Sequence, residues 1–352
     1  MTDPLPISVI VVTYNSGHDV ADGLARLSDQ LGVGDELIVV DNASVDDSVA
    51  VVRAAAPAAR VLALGENLGF AGGVNRGATE AAGELLLLLN PDAVPAPGCL
   101  DALRRAATDH PDWGCWQAMV ALADGEHVNT AGGRMHLLGF GWSGDWGDPI
   151  DRSLTAHEVG FASGAALCVR TPLWRSLGGF DPRFFMYCED LDLSVRLRSA
   201  GWGVGVAPDA VVEHDYEFDK GANKWFYLER NRWAVVLANY PARLLVLAFP
   251  LLLAFELALI PVALAGGWWP SKRRAVVAAV RDLPHTLRRR RAVQAARVIS
   301  DRAFAQSLTV DLDGEFFGPI ARVAPIGAAL RVYRALVLRA LSDRPRGVRV
   351  GG

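Results

Sequence analysis

The sequence predicts an α/β fold in which a mainly parallel, doubly wound sheet is followed by an apolar helical region. In the first 110 residues, short apolar runs alternate with helical patterns, and each run ends at polar or turn-forming residues. Strands that alternate with helices are joined by crossover connections, so they pair in parallel. The change to strongly apolar and basic sequence after Tyr240 predicts the added region.

The predicted strands are short and rich in leucine or β-branched residues. They are Ile7 to Thr13, Leu37 to Val40, Val61 to Leu64 and Leu85 to Leu89. The first helix between them places four apolar side chains on one face, namely Val20, Leu24, Leu27 and Leu31. We expect a catalytic domain over residues 1–240 and an apolar, basic and helical region, associated with a membrane, over residues 241–352.

The composition disfavours several classes of protein. The 352 residues are 51% hydrophobic with a net charge of −4, which argues against general binding of nucleic acid. The four cysteines show neither C-x-x-C spacing nor a nearby paired histidine motif, so a zinc site and a disulfide framework are poorly supported. A reducing, cytosolic setting fits best. The apolar run from Ile7 to Val12 follows no basic segment and is too short for a signal sequence.

Polar residues follow three of the predicted strands, where a doubly wound sheet binds its ligands. These residues are Tyr14-Asn15, Asp41-Asn42 and Asn90-Pro91-Asp92. A nicotinamide-binding domain is disfavoured, because its G-x-G-x-x-G motif is missing after the first strand, where the sequence reads Thr13 to Gly17. The later segment Gly69 to Gly77 fits two interpretations equally well, phosphate binding or close packing of a helix.

Two acidic positions indicate a metal-assisted transfer. Asp92 follows a run of five leucines, and Glu189-Asp190 begins an amphipathic helix after an aromatic-rich turn. A metal-assisted transfer requires a cation that neutralises charge on the departing group and a base that removes a proton from the acceptor. An acid at the end of a strand can hold a divalent cation, and a second acid can act as the base.

Five motifs, in order, resemble those of family 2 glycosyltransferases, most closely the bacterial rhamnosyltransferase-like enzymes. They are V-V-T-Y-N at 11–15, V-V-D-N-A-S-x-D-x-S at 39–48, N-x-G-F-A-x-G-x-N-x-G at 67–77, L-N-P-D at 89–92 and G-G-F-D-x-x-F-F-M-Y-x-E-D-x-D-L at 178–193. The resemblance covers roughly residues 5 to 240. It implies a GT-A fold, a nucleotide-sugar donor, Mg²⁺ or Mn²⁺, and inversion at the anomeric carbon.

The resemblance assigns roles to individual residues. On the donor side it implies Thr13, Tyr14, Asn15, Asp41, Asn75 and Asn90, with Asp41 accepting from the imide N–H of uracil or thymine. It implies Asp92 and His214 as metal ligands and Asp190 as the catalytic base. The family's usual D-x-D motif departs here to Asn90-Pro91-Asp92, which predicts weaker binding of the metal without donor. On the acceptor side we expect Trp142, Trp146, Asp181, Glu189 and Arg230.

Several of these residues also have a purely structural interpretation. Asp41 could cap a turn, His214 could be a structural histidine, and the acids at 189–192 could only favour a helix N-terminus. The tryptophans at 142 and 146 could stack on sugars or anchor a core, and Arg230 could bind a phosphate or only solvent.

The segment Leu244 to Trp269 is apolar and long enough to cross a bilayer, and basic residues flank it on both sides. This pattern favours a kinked re-entrant or interfacial hairpin on the cytoplasmic side of the membrane. A true span, a buried helical pair and a homo-oligomer interface are the alternatives.

Together these patterns predict an enzyme that moves a sugar, rhamnose by resemblance, from a dTDP- or UDP-linked donor to a lipid-linked or glycan acceptor in cell-envelope polysaccharide synthesis. Two other classes stay open. A sugar-nucleotide pyrophosphorylase is disfavoured by the lack of an early basic, glycine-rich signature. A nonenzymatic membrane-bound nucleotide sensor would not need Glu189-Asp190.

Overall fold

The computed structural model describes residues 4–151, 153–214, 222–312 and 324–345. The strands are β1 (Ile7–Thr13), β2 (Glu36–Asp41), β3 (Arg60–Ala63), β4 (Leu85–Leu89), β5 (Ala93–Pro95), β6 (Trp113–Ala121), β7 (Val128–Thr130), β8 (Gly133–Met135), β9 (Gly141–Ser143), β10 (His157–Glu158), β11 (Ala166–Arg170) and β12 (Gly203–His214). The described chain forms two compact units, and residues 4–133, 143–197 and 202–214 belong to the first.

Helices alternate with the early strands of the first unit. They are α1 (Val20–Ser28), α2 (Ser48–Ala55), α3 (Gly69–Ala78), α4 (Cys99–Asp109), α5 (Thr171–Leu177), a 3₁₀ helix (Pro182–Phe184) and α6 (Glu189–Ser199). On α1, Val20, Leu24 and Leu27 are buried as predicted, while Leu31 lies beyond the end of the helix and packs against the same core.

The described strands of the main sheet run in the order β10-β12-β6-β11-β4-β1-β2-β3, with β5 beside β12 and β7 beside β6. The four predicted strands are confirmed and pair in parallel, β1 with β4 and β2, and β2 with β3. Strand β11 is inserted antiparallel between β4 and β6, so the sheet is mixed. All five leucines of β4 are buried, so both faces of the sheet are covered at this strand, and its two edges pair with β1 and β11.

The second unit contains residues 134–142 and 198–201 and the described residues from 222 onward. Its helices are α7 (Ala222–Asn239), α8 (Ala242–Ala265), α9 (Trp269–Ala296), α10 (Asp301–Gln306) and α11 (Ala324–Ala340). Among the described residues, α8 is the one helix long and apolar enough to cross a membrane, a test that rests on length and composition alone. The apolar segment Leu244 to Trp269 lies mostly in α8 and ends at the first residue of α9.

Candidate active site

Thr13 and Asp41 end the adjacent parallel strands β1 and β2 in the same register. The Thr13 hydroxyl donates to Asp41 Oδ1 over 3.0 Å, and the backbone N–H of Ser44 donates to Oδ2 over 3.1 Å. Tyr14, the next residue, is 51% exposed. The parallel register therefore brings the predicted nucleoside-side residues to one rim, with a fixed carboxylate beside an accessible aromatic ring.

Asn15 connects the loop after β1 to the loop after β2. It has a φ of 53°, in the left-handed region that asparagine tolerates better than most residues. Its backbone N–H donates to the Ser44 hydroxyl over 2.9 Å, and its Oδ1 accepts from the N–H of Val45 over 2.9 Å. The described contacts of Asn15 thus hold the loop after β1 against the loop after β2.

The glycines of α3 allow this helix to lie directly on the sheet. A Cβ on Gly73 would lie 2.7 Å from Val12 Cγ1, and a Cβ on Gly77 would lie 2.7 Å from Ile10 Cγ2. At the start of the helix, the N–H of Ala71 donates to the carbonyl of Phe185 over 3.0 Å. These contacts favour close packing over phosphate binding for this segment.

Asn75, predicted on the donor side, uses both ends of its amide on the backbone of Phe180. Its Nδ2 donates to the Phe180 carbonyl over 2.8 Å, and its Oδ1 accepts from the Phe180 N–H over 3.0 Å. Asn75 therefore holds the turn at Gly179-Phe180 against α3. A contact between Asn75 and the donor stays a prediction.

Asn90, Asp92 and His214 meet at the carboxyl end of β4, although more than 120 residues separate His214 from the other two. His214 is brought there because it ends β12, where it pairs with Ala93 of β5. Its Nε2 lies 3.1 Å from Asp92 Oδ1 and 3.2 Å from Asn90 Nδ2. Asn129 Nδ2 donates to the backbone carbonyl of His214 over 3.1 Å and lies 3.5 Å from the ring nitrogen Nδ1.

The chemistry of these three side chains fits a divalent cation. Carboxylate and amide oxygens suit Mg²⁺ or Mn²⁺, imidazole nitrogen is a further ligand for Mn²⁺, and substrate phosphates complete such sites. The Asp92 side chain is 28% exposed, which leaves one side open to a ligand. Only two of the three are of the His, Cys, Asp or Glu type, and no group of three or more such residues is arranged to hold a metal ion among the described residues. A metal held here would depend on oxygens from the donor.

Asp190 lies in the first turn of α6, where two backbone groups fix its carboxylate. The N–H of Gly164 donates to Oδ2 over 2.9 Å, and the N–H of Leu191 donates to Oδ1 over 2.6 Å. Burial raises the pKa of Asp190, and these two hydrogen bonds oppose the rise because they stabilise the ionised form. The carboxylate is therefore half-buried, oriented and supplied with donors that favour its charge.

Glu189 is buried, and a hydrogen bond from its own backbone only partly opposes the effect of burial on its pKa. Burial raises its pKa well above the ordinary value, and the neighbouring charge of Asp190 raises it further. Its Oε2 has no hydrogen-bond partner among the described residues. Asp192, by contrast, pairs with Arg196 over 2.8 Å. We assign the proton of the adjacent pair to Glu189 and the negative charge to Asp190.

Two adjacent residues, Gly164 and Ala165, connect the two acidic stations, by which we mean the Asn90-Asp92-His214 group and the Glu189-Asp190 pair. Gly164 donates to Asp190, and the carbonyl of Ala165 accepts from the N–H of Asn90 over 3.0 Å. Gln117, fully buried in β6, accepts from the N–H of Ser163 over 2.7 Å and so fixes the same loop. A lone glutamine within the apolar strand Trp113–Ala121 was the available sequence signal for this role, whereas nothing in the sequence singled out the N–H of Gly164.

The predicted acceptor residues are distributed over both units. In the first, Asp181 Oδ1 accepts from the N–H of Arg183 over 3.1 Å and caps the 3₁₀ helix, while Trp146 is half-buried. In the second unit, Trp142 is buried against the ring of Phe140, at a centroid distance of 5.7 Å, which favours core anchoring.

Arg230, also in the second unit, lies 5.2 Å from the ring centre of Tyr227. A sugar or phosphate contact stays a prediction for each of these residues and for Glu189.

Comparison with known proteins identifies the family of this arrangement. The model of the family described as glycosyl transferase family 2 matches residues 8–177. Over 243 residues the chain is 34% identical to N-acetylglucosaminyl-diphospho-decaprenol L-rhamnosyltransferase of Mycobacterium tuberculosis, covering 61% of this chain and 76% of that enzyme. A pre-mycofactocin glycosyltransferase of the same organism is 29% identical over 229 residues, which is 63% of this chain and 46% of that protein.

Solved structures show the same fold at low sequence identity. TarS residues 1–349 of S. aureus in complex with UDP-GlcNAc superposes with a TM-score of 0.55 at 16% identity, covering 95% of this chain and 89% of that one. The mannosyltransferase PcManGT of Pyrobaculum calidifontis, in complex with GDP-Man and Mn²⁺, gives 0.51 at 19% identity, covering 84% and 86%. The predicted GT-A fold is confirmed.

Proposed function

The chain belongs to glycosyl transferase family 2 and is a glycosyltransferase, and we propose that it is a metal-dependent, inverting enzyme. In this proposal it moves a sugar, rhamnose by similarity to the M. tuberculosis enzyme, from a dTDP- or UDP-linked donor. The acceptor is a lipid-linked sugar or a glycan in the synthesis of cell-envelope polysaccharide, on the cytoplasmic side of the membrane. The domain assignment, 1–240 for catalysis and 241–352 for membrane association, is part of the same proposal.

The observation that carries the proposal is the link between the two acidic stations through Gly164 and Ala165. Gly164 orients the carboxylate of Asp190, and the adjacent Ala165 holds the backbone of Asn90. Both stations can therefore act on one substrate complex. In an inverting transfer, the acceptor oxygen attacks the anomeric carbon on the face opposite to the departing diphosphate. Two distinct stations, one for each face, suit such a single displacement.

Asp190 acts as the general base in this scheme. Its carboxylate takes the proton of the acceptor hydroxyl while the new C–O bond forms and the bond between the anomeric carbon and the diphosphate breaks. The hydrogen bonds from Gly164 and Leu191 hold the carboxylate ready. Proton retention by Glu189 keeps a second negative charge away from it.

Asp92, His214 and Asn90 would hold Mg²⁺ or Mn²⁺, with Asn90 turning its amide oxygen inward. When bound, the metal supplies positive charge to the diphosphate as it leaves. Asn129 positions His214, because its amide donates to the backbone carbonyl of that residue and lies 3.5 Å from Nδ1 of its ring. Asn90 contributes no charge, so the donor diphosphate provides a larger share of the binding energy than in a site with two aspartates.

The donor base would lie at the rim formed by Thr13, Tyr14 and Asp41. The exposed ring of Tyr14 offers a stacking surface, and the fixed carboxylate of Asp41 can accept from the imide N–H of a pyrimidine. A lipid-linked acceptor is supported by the printed name of the M. tuberculosis relative. The apolar helix α8 supports association with a membrane.

A panel of nucleotide-sugars incubated with membrane lipid extract and Mg²⁺ or Mn²⁺ tests this function. One donor should yield a lipid or glycan heavier by one sugar residue, seen by mass spectrometry, together with free nucleoside diphosphate. The matched variant Asp190→Asn should give little product from the same donor. Formation of product without divalent metal would reject metal dependence, and failure of every dTDP- and UDP-sugar would reject the donor assignment.

A further inference from the structure

One complete face of α8 is apolar and exposed. Along this face lie Val246, Phe249, Leu253, Leu257 and Leu264, which are between 47% and 73% exposed. Their spacing of three, four, four and seven residues places them in a single stripe, which we call the α8 stripe. At 1.5 Å per residue, the stripe extends for about 27 Å. A continuous exposed apolar surface of this length indicates a site of interaction with a partner or a membrane.

The opposite face of α8 packs on its own unit. Leu244, Ala248 and Leu252 are buried there. Glu256 is half-buried at the edge of this packed face, and its carboxylate pairs with Arg232 of α7 and with Lys272 of α9, the latter over 2.9 Å. Lys272 also lies 2.6 Å from Glu229 of α7. Glu229, Arg232, Glu256 and Lys272 therefore form a neutral cluster of paired charges that joins three helices.

This cluster decides how α8 can meet a bilayer. If α8 crossed the membrane, Glu256 would lie inside the hydrocarbon, together with its partners on α7 and α9. Helix α9 carries many further charges, including the run from Arg288 to Arg291, and cannot follow α8 into hydrocarbon. An orientation parallel to the surface avoids this problem, because the α8 stripe enters the lipid while the paired charges stay on the protein side.

The charges of α9 favour lipid over a second protein chain as the occupant. Arg273, Arg274, Arg281, Arg288 and Arg291 are all exposed on this helix. Among them lie the exposed apolar residues Val276, Val277 and Val280. A surface that combines apolar side chains with clustered arginines is complementary to an anionic bilayer, which offers hydrocarbon and negative headgroups together.

We propose that the α8 stripe and the exposed arginines of α9 form an in-plane docking surface for an anionic lipid bilayer. The inference rests on the membrane association in the proposed function and deepens it, by assigning the surface and by excluding a transmembrane orientation of α8. It does not depend on which sugar is transferred. Vesicle binding can therefore fail while sugar transfer succeeds, which would reject the docking surface alone. Sugar transfer can equally fail while vesicle binding succeeds, which would reject the proposed function alone.

Flotation with vesicles of phosphatidylcholine and phosphatidylglycerol tests the surface. The full chain should float, and Leu253→Glu and Leu257→Glu should each weaken the partition coefficient about tenfold or more, the scale expected when one leucine is no longer buried. Val33→Glu provides the matched control, because Val33 is fully exposed on the first unit and should have no effect. Binding of nucleoside diphosphate should be unchanged in all three variants, which excludes misfolding of the donor-binding unit.

The electrostatic part is tested with Arg288→Ser and Arg291→Ser. Each should weaken binding to anionic vesicles about fivefold at low salt, and less at high salt. Arg290 is left intact, because its guanidinium donates to the carbonyls of Leu237 and Tyr240 over 2.6 and 2.7 Å. Replacing all four arginines of the run would therefore also disturb the end of α7.

Orientation is tested with Ala242→Cys and Ala265→Cys, one at each end of α8, added to sealed vesicles with an impermeant thiol reagent. Both cysteines should react from outside, above the labelling of the unmodified chain. Protection of one end would overturn the in-plane orientation.

Failure of the full chain to float, or equal flotation of the glutamate variants, would overturn the docking surface. A dimer in solution that dissociates on Leu253→Glu would instead assign the stripe to a second copy.

Discussion

Replacement of Asp190 by asparagine should separate proton transfer from donor binding. The carboxylate accepts one N–H from Gly164 and one from Leu191, and an asparagine amide can accept only through its single oxygen. One backbone donor is left unsatisfied, at a cost of about 1–3 kcal/mol in stability. Removal of the partly desolvated charge offsets part of that cost, so the variant should fold.

The rate of transfer should fall by about 10²-fold or more, because the amide cannot take a proton at neutral pH. That factor corresponds to an increase of about 2.7 kcal/mol in the activation free energy. Calorimetry with nucleoside diphosphate and metal should give unchanged affinity, and a single-turnover assay should show the loss. Glu189→Gln is the matched control, since glutamine mimics the protonated acid and should retain most of the activity.

Two results would refute this reasoning. Near-normal transfer by Asp190→Asn would exclude Asp190 as the base, and loss of diphosphate binding would indicate a metal or structural role. The pH dependence adds a check, because burial raises the pKa of Asp190. The wild-type rate should therefore decline, as pH falls, at a higher pH than it would for an exposed aspartate.

The remaining predictions concern the metal station and the proton on Glu189. Asp92→Asn should reduce metal-dependent donor binding and turnover with the fold intact, whereas Asn90→Asp should strengthen metal binding in calorimetry; unchanged values would place the respective residue outside the metal site. The folded-state pKa of Glu189 lies above its ordinary value of 4.5, so its contribution to stability is full below that pH and is lost as pH rises through the folded pKa. Glu189→Gln should therefore gain stability relative to wild type as pH rises, measured by urea unfolding, and parallel pH profiles would contradict the protonated state.

Periodicity and strand order predicted the part of the site that depends on parallel strands. Thr13 and Asp41 could be expected side by side, because strands joined by crossovers end at one edge of the sheet. The meeting of Asp92 and His214 followed only from family resemblance. No local pattern reports that β12 returns to pair with β5 beside β4.

The sequence could not predict the groups that position the acids. The N–H of Gly164 and the carbonyl of Ala165 belong to the backbone, which every residue carries, so composition does not reveal their use. Asn75 is a further example. Family resemblance predicts a donor contact for it, but no local pattern reported the long-range pairing of its amide with the backbone of Phe180.

The antiparallel insertion of β11 has a consequence for the protein while it is being synthesised. Strand β4 can pair with β1 as soon as it leaves the ribosome, but its other edge waits for β11, about 75 residues later. At roughly 5–20 residues per second, this interval lasts several seconds. Throughout it, a strand of five leucines has an open edge, and such edges pair readily with other chains. A ribosome that pauses in this interval prolongs the exposure, so the yield of soluble enzyme depends on how soon Ala166–Arg170 emerges.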